Sequence, residues 1–314
     1  MSNDKFAFLF PGQGSQKVGM LSAAAQQFEE VAATFEQASD VLGYDLWSLV
    51  QNGPQEELNL TEKTQPLLLT ASVALWRAWQ AKGGASPALL AGHSLGEFSA
   101  LVCAQVISFA AAVDLVRQRG AFMQSAVPVG VGAMAAIIGL DDKAIDSICE
   151  ELSSANAVVQ AVNFNSPGQV VIAGHADAVN NAIDRCKEAG AKRALPLPVS
   201  APFHTSLMKP AGEQLAKVIN EIEFAPPIIP IVHNVTAMPE SDPEKLRQLM
   251  VEQIYSPVQW TQCIEYVVNQ DVAVTVECGP GKVLSGLSRR IHKPLQVLSL
   301  EEPESLDAAL ASLA

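Results

Sequence analysis

The sequence lacks the long apolar runs and the cysteine pairs that mark several broad classes of protein. Its longest apolar stretches, such as residues 129–140, fall short of the ~18 residues that a membrane-spanning helix needs. The first residues, MSNDK, contain no apolar segment of a secretory signal. The five cysteines are scattered and form no C-x-x-C pair, which is typical of reduced thiols. We therefore expect a cytoplasmic protein without a membrane helix, a disulfide framework or a metal site.

Positive charge is also scarce. Lysine and arginine number 20 against 33 aspartates and glutamates, and the formal net charge is −13. A chain with this balance is not expected to bind nucleic acid or an anionic membrane. Its 314 residues are 49% apolar and 17% charged, which predicts a compact fold with one large core or a core and a smaller domain.

A serine between two glycines, in the segment GHSLG at 92–96, is the most informative motif. The apolar run at 89–91 predicts a buried parallel strand, and apolar residues at helical spacing follow the motif. A strand, a Gly-flanked serine and a helix are the context of a nucleophile elbow, which makes Ser94 a candidate nucleophile. Ser94 and Glu97 also match a capping box, in which the serine would only start the helix. The capping box does not require both glycines, so the nucleophile is favoured.

A glycine-rich turn, PGQGSQ at 11–16, follows the strand predicted at 5–10. It lacks the Lys-Ser/Thr of a phosphate-binding P-loop and the spacing of a dinucleotide site. In elbow enzymes an early loop of this type supplies a backbone N–H to the oxyanion. An ordinary tight turn is the alternative.

The helix predicted at 109–125 carries two arginines with different surroundings. Arg117 is three residues from Asp114, which predicts a surface ion pair. Arg119 interrupts the apolar stripe of the helix, and a buried guanidinium needs an anion. That anion is either a carboxylate of the protein itself or a carboxylate of the substrate, and the residues alone leave both open.

Residues 128–198 have a pattern of their own, which predicts the order β-α-β-β-α-β of a ferredoxin-like unit. We expect this small domain to be inserted into an α/β domain formed by residues 1–127 and 199–314. The predicted elements are strands at 133–138, 158–164, 169–173 and 192–198 and helices at 142–153 and 177–189.

His204 is the candidate base, selected from five histidines. It lies in a loop just after a strand, where functional residues concentrate. The other four are less suitable, because they adjoin the serine, open a helix, lie in an apolar strand or belong to a basic surface run. A loop histidine without a catalytic role is the alternative.

Several motifs together resemble the malonyl-CoA:acyl carrier protein transacylase family of bacterial type II fatty acid synthesis, over nearly the whole chain. The resemblance implies an α/β-hydrolase-like core with a parallel sheet and an inserted ferredoxin-like subdomain. The motifs are PGQGSQ at 11–16, TQP at 64–66, GHSLGE at 92–97, RQRG at 117–120, NSPGQ at 165–169, PFH at 202–204, QIYSPVQW at 253–260 and ECGPG at 277–281.

The resemblance also implies roles for individual residues. Ser94 would carry the acyl ester, with His204 as its base and the main-chain carbonyl of Gln253 orienting the histidine. Arg119 would pair with the malonyl carboxylate. The backbone N–H groups of Gln13 and Leu95 would form the oxyanion hole, and the acyl pocket would be bordered by Gln65, Met123, Asn163 and Phe203.

Malonyl-CoA is the implied donor and acyl carrier protein the implied acceptor, with no cofactor, and we expect a monomer. Because the carrier protein is acidic in this family, docking would need a local basic patch. The available cations are Lys187, Lys192, Arg193, Lys282, Arg289, Arg290 and Lys293.

Two other functions remain in competition. A serine hydrolase of thioesterase or lipase type would use the same elbow, although the Asp-Gly dipeptide of the patatin type does not occur. A non-catalytic subunit that docks carrier protein would keep the fold without the reaction.

Overall fold

The computed structural model describes residues 5–199 and 201–313. Its strands are β1 (Lys5–Phe10), β2 (Leu89–Gly92), β3 (Gly132–Ile138), β4 (Val159–Ser166), β5 (Gln169–His175), β6 (Arg193–Pro196), β7 (Ile231–Val232), β8 (Val272–Glu277) and β9 (Gln296–Ser299). Its α-helices are α1 (Ser22–Gln27), α2 (Glu29–Leu42), α3 (Leu46–Asn52), α4 (Gln55–Leu58), α5 (Thr61–Ala81), α6 (Leu95–Cys103), α7 (Phe109–Ser125), α8 (Asp142–Leu152), α9 (Ala176–Glu188), α10 (Lys209–Ile219), α11 (Pro243–Glu252), α12 (Trp260–Asn269), α13 (Val283–Ile291) and α14 (Pro303–Leu313), with short 3₁₀ helices at Ser206–Met208 and Gln253–Tyr255.

A five-stranded parallel sheet in the order β7-β2-β1-β8-β9 forms the larger part of the molecule. Its strands are apolar because both faces of the sheet are covered. In β1, for example, Phe8 and Phe10 face one apolar cluster while Ala7 and Leu9 face another. The carboxyl ends of β1, β2 and β7 therefore lie side by side, and the turns that follow them meet at one edge.

A four-stranded antiparallel sheet in the order β4-β5-β3-β6 forms the second part. Alternation along β3 puts Ala135 and Ile137 against α8 and α9, whereas Met134 points into the main core. Each strand and helix of this part lies within two residues of its predicted bounds. The predicted order of elements is confirmed.

Two local predictions are wrong. From the sequence, the TQP motif at 64–66 predicts a helix start with Pro66 in the first helical position, but α5 begins at Thr61 and contains Pro66. Packing of the buried residues that follow Pro66 offsets the loss of its N–H. The sequence of residues 227–232 also predicts a strand, but only Ile231–Val232 pairs, because Pro227 and Pro230 have no N–H to donate.

None of the helices in the described ranges is both long and apolar enough to cross a membrane. Most of the segment compared with a secretory signal, residues 1–4, lies outside these ranges.

Candidate active site

Ser94 occupies the sharp turn between β2 and α6. Its φ of 50° and ψ of −107° are seldom adopted by residues other than glycine. A Cβ on Gly92 would collide with the backbone of Gly96, and one on Gly96 would collide with the carbonyl of Phe10. Both glycines are thus needed for the close approach of strand, turn and helix. The Ser94 hydroxyl makes no cap hydrogen bond to α6, so the capping-box interpretation is wrong.

His204 lies against this serine. Its Nε2 is 2.8 Å from Ser94 Oγ, and its Nδ1 is 2.8 Å from the main-chain oxygen of Gln253. A carbonyl oxygen only accepts, so it holds the proton on Nδ1 and leaves Nε2 able to take the serine proton. Burial lowers the pKa of His204 to about 3, and the charge of Arg119 acts in the same direction. The ring is therefore neutral near pH 7, as a general base must be.

Arg119 is completely buried beside the same hydroxyl. Its Nη1 donates to Gln65 Oε1 at 2.8 Å, and its Nη2 donates to Gln253 Oε1 at 2.8 Å and to Ser94 Oγ at 3.2 Å. Burial lowers its pKa to about 10, so the guanidinium is charged at neutral pH. It forms no ion pair with any carboxylate in residues 5–199 and 201–313.

The alternative that a carboxylate of the protein pairs directly with Arg119 is therefore wrong. Its neighbour on α7, Arg117, has the predicted surface ion pair with Asp114 at 2.7 Å. Arg119 is kept in place by close packing of two helices, since a Cβ on Gly120 would meet the Thr61 carbonyl oxygen at 2.6 Å. Its guanidinium also lies 5.1 Å from the centre of the Phe98 ring.

Gln253 connects the three groups. Its main-chain oxygen accepts from His204, and its side-chain Oε1 accepts from Arg119. Its Nε2 donates to the Ser94 carbonyl at 3.0 Å and to Glu97 Oε2 at 2.7 Å. One residue thus fixes the positions of serine, histidine and arginine relative to each other.

The backbone N–H groups of Gln13 and Leu95 make no hydrogen bond within the described part of the chain. Leu95 is the first residue of α6, where N–H groups have no partner in their own helix. Gln13 belongs to the turn after β1, in which a Cβ on Gly12 would meet the carbonyl oxygen of His93 at 2.5 Å. The turn after β1 and the elbow after β2 therefore pack together.

The remaining predicted pocket residues are all buried, but they are linked to this centre to different degrees. The Nε2 of Gln65 lies 3.8 Å from the sulfur of Met123. Phe203 is buried next to His204 in the chain. Asn163 lies on β4, where the strand forms an isolated parallel bridge with Val258, but its side chain makes no hydrogen bond to Ser94, His204 or Arg119.

Sequence reasoning missed three buried polar residues at this edge. Asn234 accepts from the Ser94 N–H at 2.7 Å and donates to the Gly92 carbonyl at 2.7 Å, which holds the strained turn from both sides. The carboxylate of Glu97 accepts from His233 Nδ1 at 2.6 Å and from the N–H of Asn234 at 3.1 Å. The available signal was the pair His233-Asn234 directly after an apolar strand, a position at which binding residues of parallel sheets gather.

Comparison with known proteins identifies the family of this chain. The acyl transferase domain family matches residues 7–300. The malonyl CoA-acyl carrier protein transacylase of Salmonella typhimurium is 59% identical over 98% of this chain and 99% of its own length.

Two solved structures with the same fold also have names of malonyl-transferring enzymes. An acyl carrier protein S-malonyltransferase from Vibrio cholerae is 58% identical, with a TM-score of 0.95 over 97% of this chain and 99% of its own. A malonyl-transacylase in complex with its type II PKS acyl-carrier protein is 56% identical, with a TM-score of 0.96 over 98% and 99% of the two chains. The protein therefore belongs to the acyl transferase domain family and, within it, to the malonyl CoA-acyl carrier protein transacylases.

Proposed function

We propose that this protein transfers the malonyl group from malonyl-CoA to the phosphopantetheine thiol of acyl carrier protein, for fatty acid elongation. The observation that carries the proposal is the position of Arg119. A buried cation without a carboxylate partner lies 3.2 Å from the hydroxyl of Ser94, and that hydroxyl is hydrogen-bonded to a neutral histidine. Such a site suits an acyl group with a carboxylate at its far end.

The reaction proceeds in two similar halves. His204 Nε2 takes the proton of Ser94 while Oγ bonds to the thioester carbon, and the carbon–sulfur bond then breaks. The CoA sulfur leaves with the proton from His204. In the second half the thiol of the carrier protein gives its proton to His204 and attacks the malonyl ester, which returns Ser94 to its hydroxyl form.

The oxyanion of each tetrahedral intermediate is stabilised by the N–H groups of Gln13 and Leu95. These two N–H groups have no hydrogen-bond partner in residues 5–199 and 201–313, which supports this assignment. The N-terminus of α6 adds the positive end of the helix dipole. The main-chain carbonyl of Gln253 takes the orienting role that an acid has in a Ser-His-Asp triad.

Arg119 selects the acyl group by binding its carboxylate through two N–H groups. Gln65, Met123, Asn163 and Phe203 border the acyl pocket. All four side chains are buried, and Gln65 contacts both Arg119 and Met123, which supports the assignment.

We propose the same division of the chain as the sequence predicts, with residues 128–198 as a ferredoxin-like subdomain inserted into an α/β-hydrolase-like domain of residues 1–127 and 199–314. The sheet order β4-β5-β3-β6 supports the first part. The all-parallel larger sheet with an elbow after β2 supports the second. The free, buried cysteines suit a cytoplasmic protein.

Carrier protein docks on exposed cations near the end of α13, the pair Arg289 and Arg290 among them. Lys187 contributes less, because it is already paired with Asp184 at 3.2 Å. Complementary charge would speed the encounter with an acidic partner even though the chain as a whole is acidic.

Mass spectrometry of the intact and digested protein tests the function directly. After exposure to malonyl-CoA, the peptide that contains Ser94 is expected to carry one malonyl group, and addition of holo-acyl carrier protein is expected to remove it. The Ser94→Ala variant should carry none. An adduct elsewhere would contradict the mechanism. Loss of malonyl to water faster than to carrier protein would favour a serine hydrolase, and no adduct at all would favour a docking subunit.

A further inference from the structure

Glu97 is a buried carboxylate that the proposed reaction does not use. It is completely buried, and both of its oxygens accept hydrogen bonds. One bond comes from His233, one from the main chain of Asn234 and one from the side chain of Gln253. A buried carboxylate is costly unless other groups compensate its charge.

His233 does not supply that compensation. Its Nδ1 donates to Glu97, but its Nε2 is buried without a hydrogen-bond partner in the described residues. A second N–H on this ring would have no acceptor in the described residues, so the geometry provides one donor to Glu97 from His233 and no more. A further group is needed to compensate the buried carboxylate.

The nearest buried positive charge is Arg119, and a single side chain joins the two. Gln253 Nε2 donates to Glu97 at 2.7 Å, while Gln253 Oε1 accepts from Arg119 at 2.8 Å. A carboxylate can only accept, so it holds the NH₂ end of this amide towards itself and the oxygen end towards the guanidinium. The charge of Glu97 also opposes the lowering of the Arg119 pKa that burial causes.

We propose that Glu97 is the counter-ion of Arg119, acting through the amide of Gln253, and that it thereby sets how strongly the site holds a carboxylate-bearing acyl group. A direct ion pair would occupy the guanidinium and exclude the substrate. The arrangement through Gln253 balances the buried charge and leaves the N–H groups of Arg119 bonded to neutral oxygens. A substrate carboxylate replaces these oxygens at a lower free-energy cost than it would replace a carboxylate of the protein. Glu97 is thus a positioning residue, and its effect on acyl choice rests on the proposed function.

The first test is a double-mutant cycle in thermal stability, with Glu97→Gln, Arg119→Met and the double variant. Glu97→Gln alone is expected to lower the unfolding midpoint, because it leaves Arg119 unbalanced. In the Arg119→Met background the same change should cost little or be stabilising. Equal losses in both backgrounds would overturn the proposal. If Glu97→Gln alone does not fold, recovery of folding in the double variant supports the proposal, and failure of the double variant beside a folded Arg119→Met overturns it.

The second test measures acyl selectivity in single turnovers with malonyl-CoA and acetyl-CoA. Removing the negative charge of Glu97 raises the positive potential at Arg119, so Glu97→Gln should lower the KM for malonyl-CoA about tenfold relative to acetyl-CoA. The same tighter hold should slow transfer of malonyl from Ser94 to carrier protein. Equal changes for both donors would contradict the proposal.

Glu277→Gln is the matched control. This glutamate is also completely buried at the end of a strand, but its oxygens accept from the N–H groups of Leu284 at 3.0 Å and Ser285 at 2.8 Å at the start of α13. It should lower stability equally in both Arg119 backgrounds and leave the malonyl/acetyl KM ratio unchanged. The stability cycle needs no acyl donor, so its failure is separate from a failure of the proposed function.

Discussion

The two sheets of this protein differ in what they bury. At the carboxyl edge of the parallel sheet, charged or titratable groups such as Glu97, Arg119 and His204 are buried. The core of the antiparallel sheet is apolar, with Ala135 and Ile137 against α8 and α9. Its ion pairs, such as Arg185 with Glu151 and Lys187 with Asp184, lie exposed on the outside. Burial of charge is therefore confined to the edge where the proposed chemistry needs it, and substitutions in the two regions should have very different effects.

The largest contrast is expected between two histidines. His204→Ala removes the proposed base at the parallel sheet and should slow formation of malonyl-Ser94 by about 10²–10⁴-fold. His175→Ala, at the end of β5, removes only an acceptor for the N–H of Val158 and should leave that rate unchanged. Stopped-flow acylation measures both. A similar loss in the two variants would remove the functional difference between the regions.

The next contrast lies within one helix. Arg119→Ala should lower the preference for malonyl over acetyl by about a hundredfold, because two charge-assisted hydrogen bonds to the carboxylate are lost. Arg117→Ala breaks a half-exposed ion pair with Asp114 and should leave the rates with malonyl-CoA and with acetyl-CoA unchanged. Competition between the two acyl-CoA donors gives the ratio, and an unchanged ratio in Arg119→Ala would exclude this residue from acyl selection.

The pH dependence of acylation sharpens the comparison further. Because burial and Arg119 lower the pKa of His204 to about 3, the base stays neutral and active well below the ordinary histidine value of 6.5. The single-turnover acylation rate should therefore begin to fall only at a pH near the lowered pKa of His204, which is the acid limb of its pH profile. This limb should move to higher pH in Arg119→Met, which lacks the repelling charge. A limb near 6.5 in the unaltered protein would contradict this.

The same shift has a consequence for stability. Between about 3 and 6.5, an unfolded His204 binds a proton that the folded protein does not accept. The contribution of His204 to the free energy of unfolding is therefore fully present above pH 6.5 and is lost as the pH is lowered towards 3. Unfolding midpoints measured across this range should show the loss, and His204→Ala should reduce it.

The smallest effect is expected at the surface. The double charge reversal Arg289→Glu/Arg290→Glu should slow transfer from malonyl-Ser94 to carrier protein about five- to tenfold while sparing malonylation by CoA. Arg185→Glu, on α9 over the antiparallel sheet, breaks exposed pairs with Glu151 and Glu188 and should spare both steps. Rapid quench of each half-reaction separates them. Equal slowing of both steps would contradict docking at the end of α13.

Much of this architecture could be predicted because its signals are local. The elbow at Ser94 needs only a strand, two glycines and a helix in succession, and the elements of residues 128–198 follow from alternation and turn residues. Pro66 led to a wrong prediction of the helix start, because proline is commonest in the first turn of a helix. In α5 the packing of buried residues outweighs that preference.

The residues that were missed make contacts between distant parts of the chain. Asn234 reaches the carbonyl of Gly92, 142 positions away, and Gln253 reaches Glu97 from 156 positions away. No local pattern encodes such pairs. Glu97 matches a local motif, the capping box, and that motif accounts for the residue without any role at the site. Its contacts with His233 and Gln253 are visible only in the structure.

A main-chain bridge joins β4 of the antiparallel sheet to Val258. Val258 donates to the carbonyl of Val162 at 2.8 Å and accepts from the N–H of Phe164 at 3.0 Å, five residues after Gln253 in the chain. Moving the antiparallel sheet away from Val258 would break both of these main-chain hydrogen bonds. They lie close in the chain to Gln253, whose main-chain oxygen accepts from His204. We therefore expect β4 and the segment that carries Gln253 to move together, so that bulkier acyl groups would be admitted by changing side chains of the proposed pocket and not by displacing the sheet.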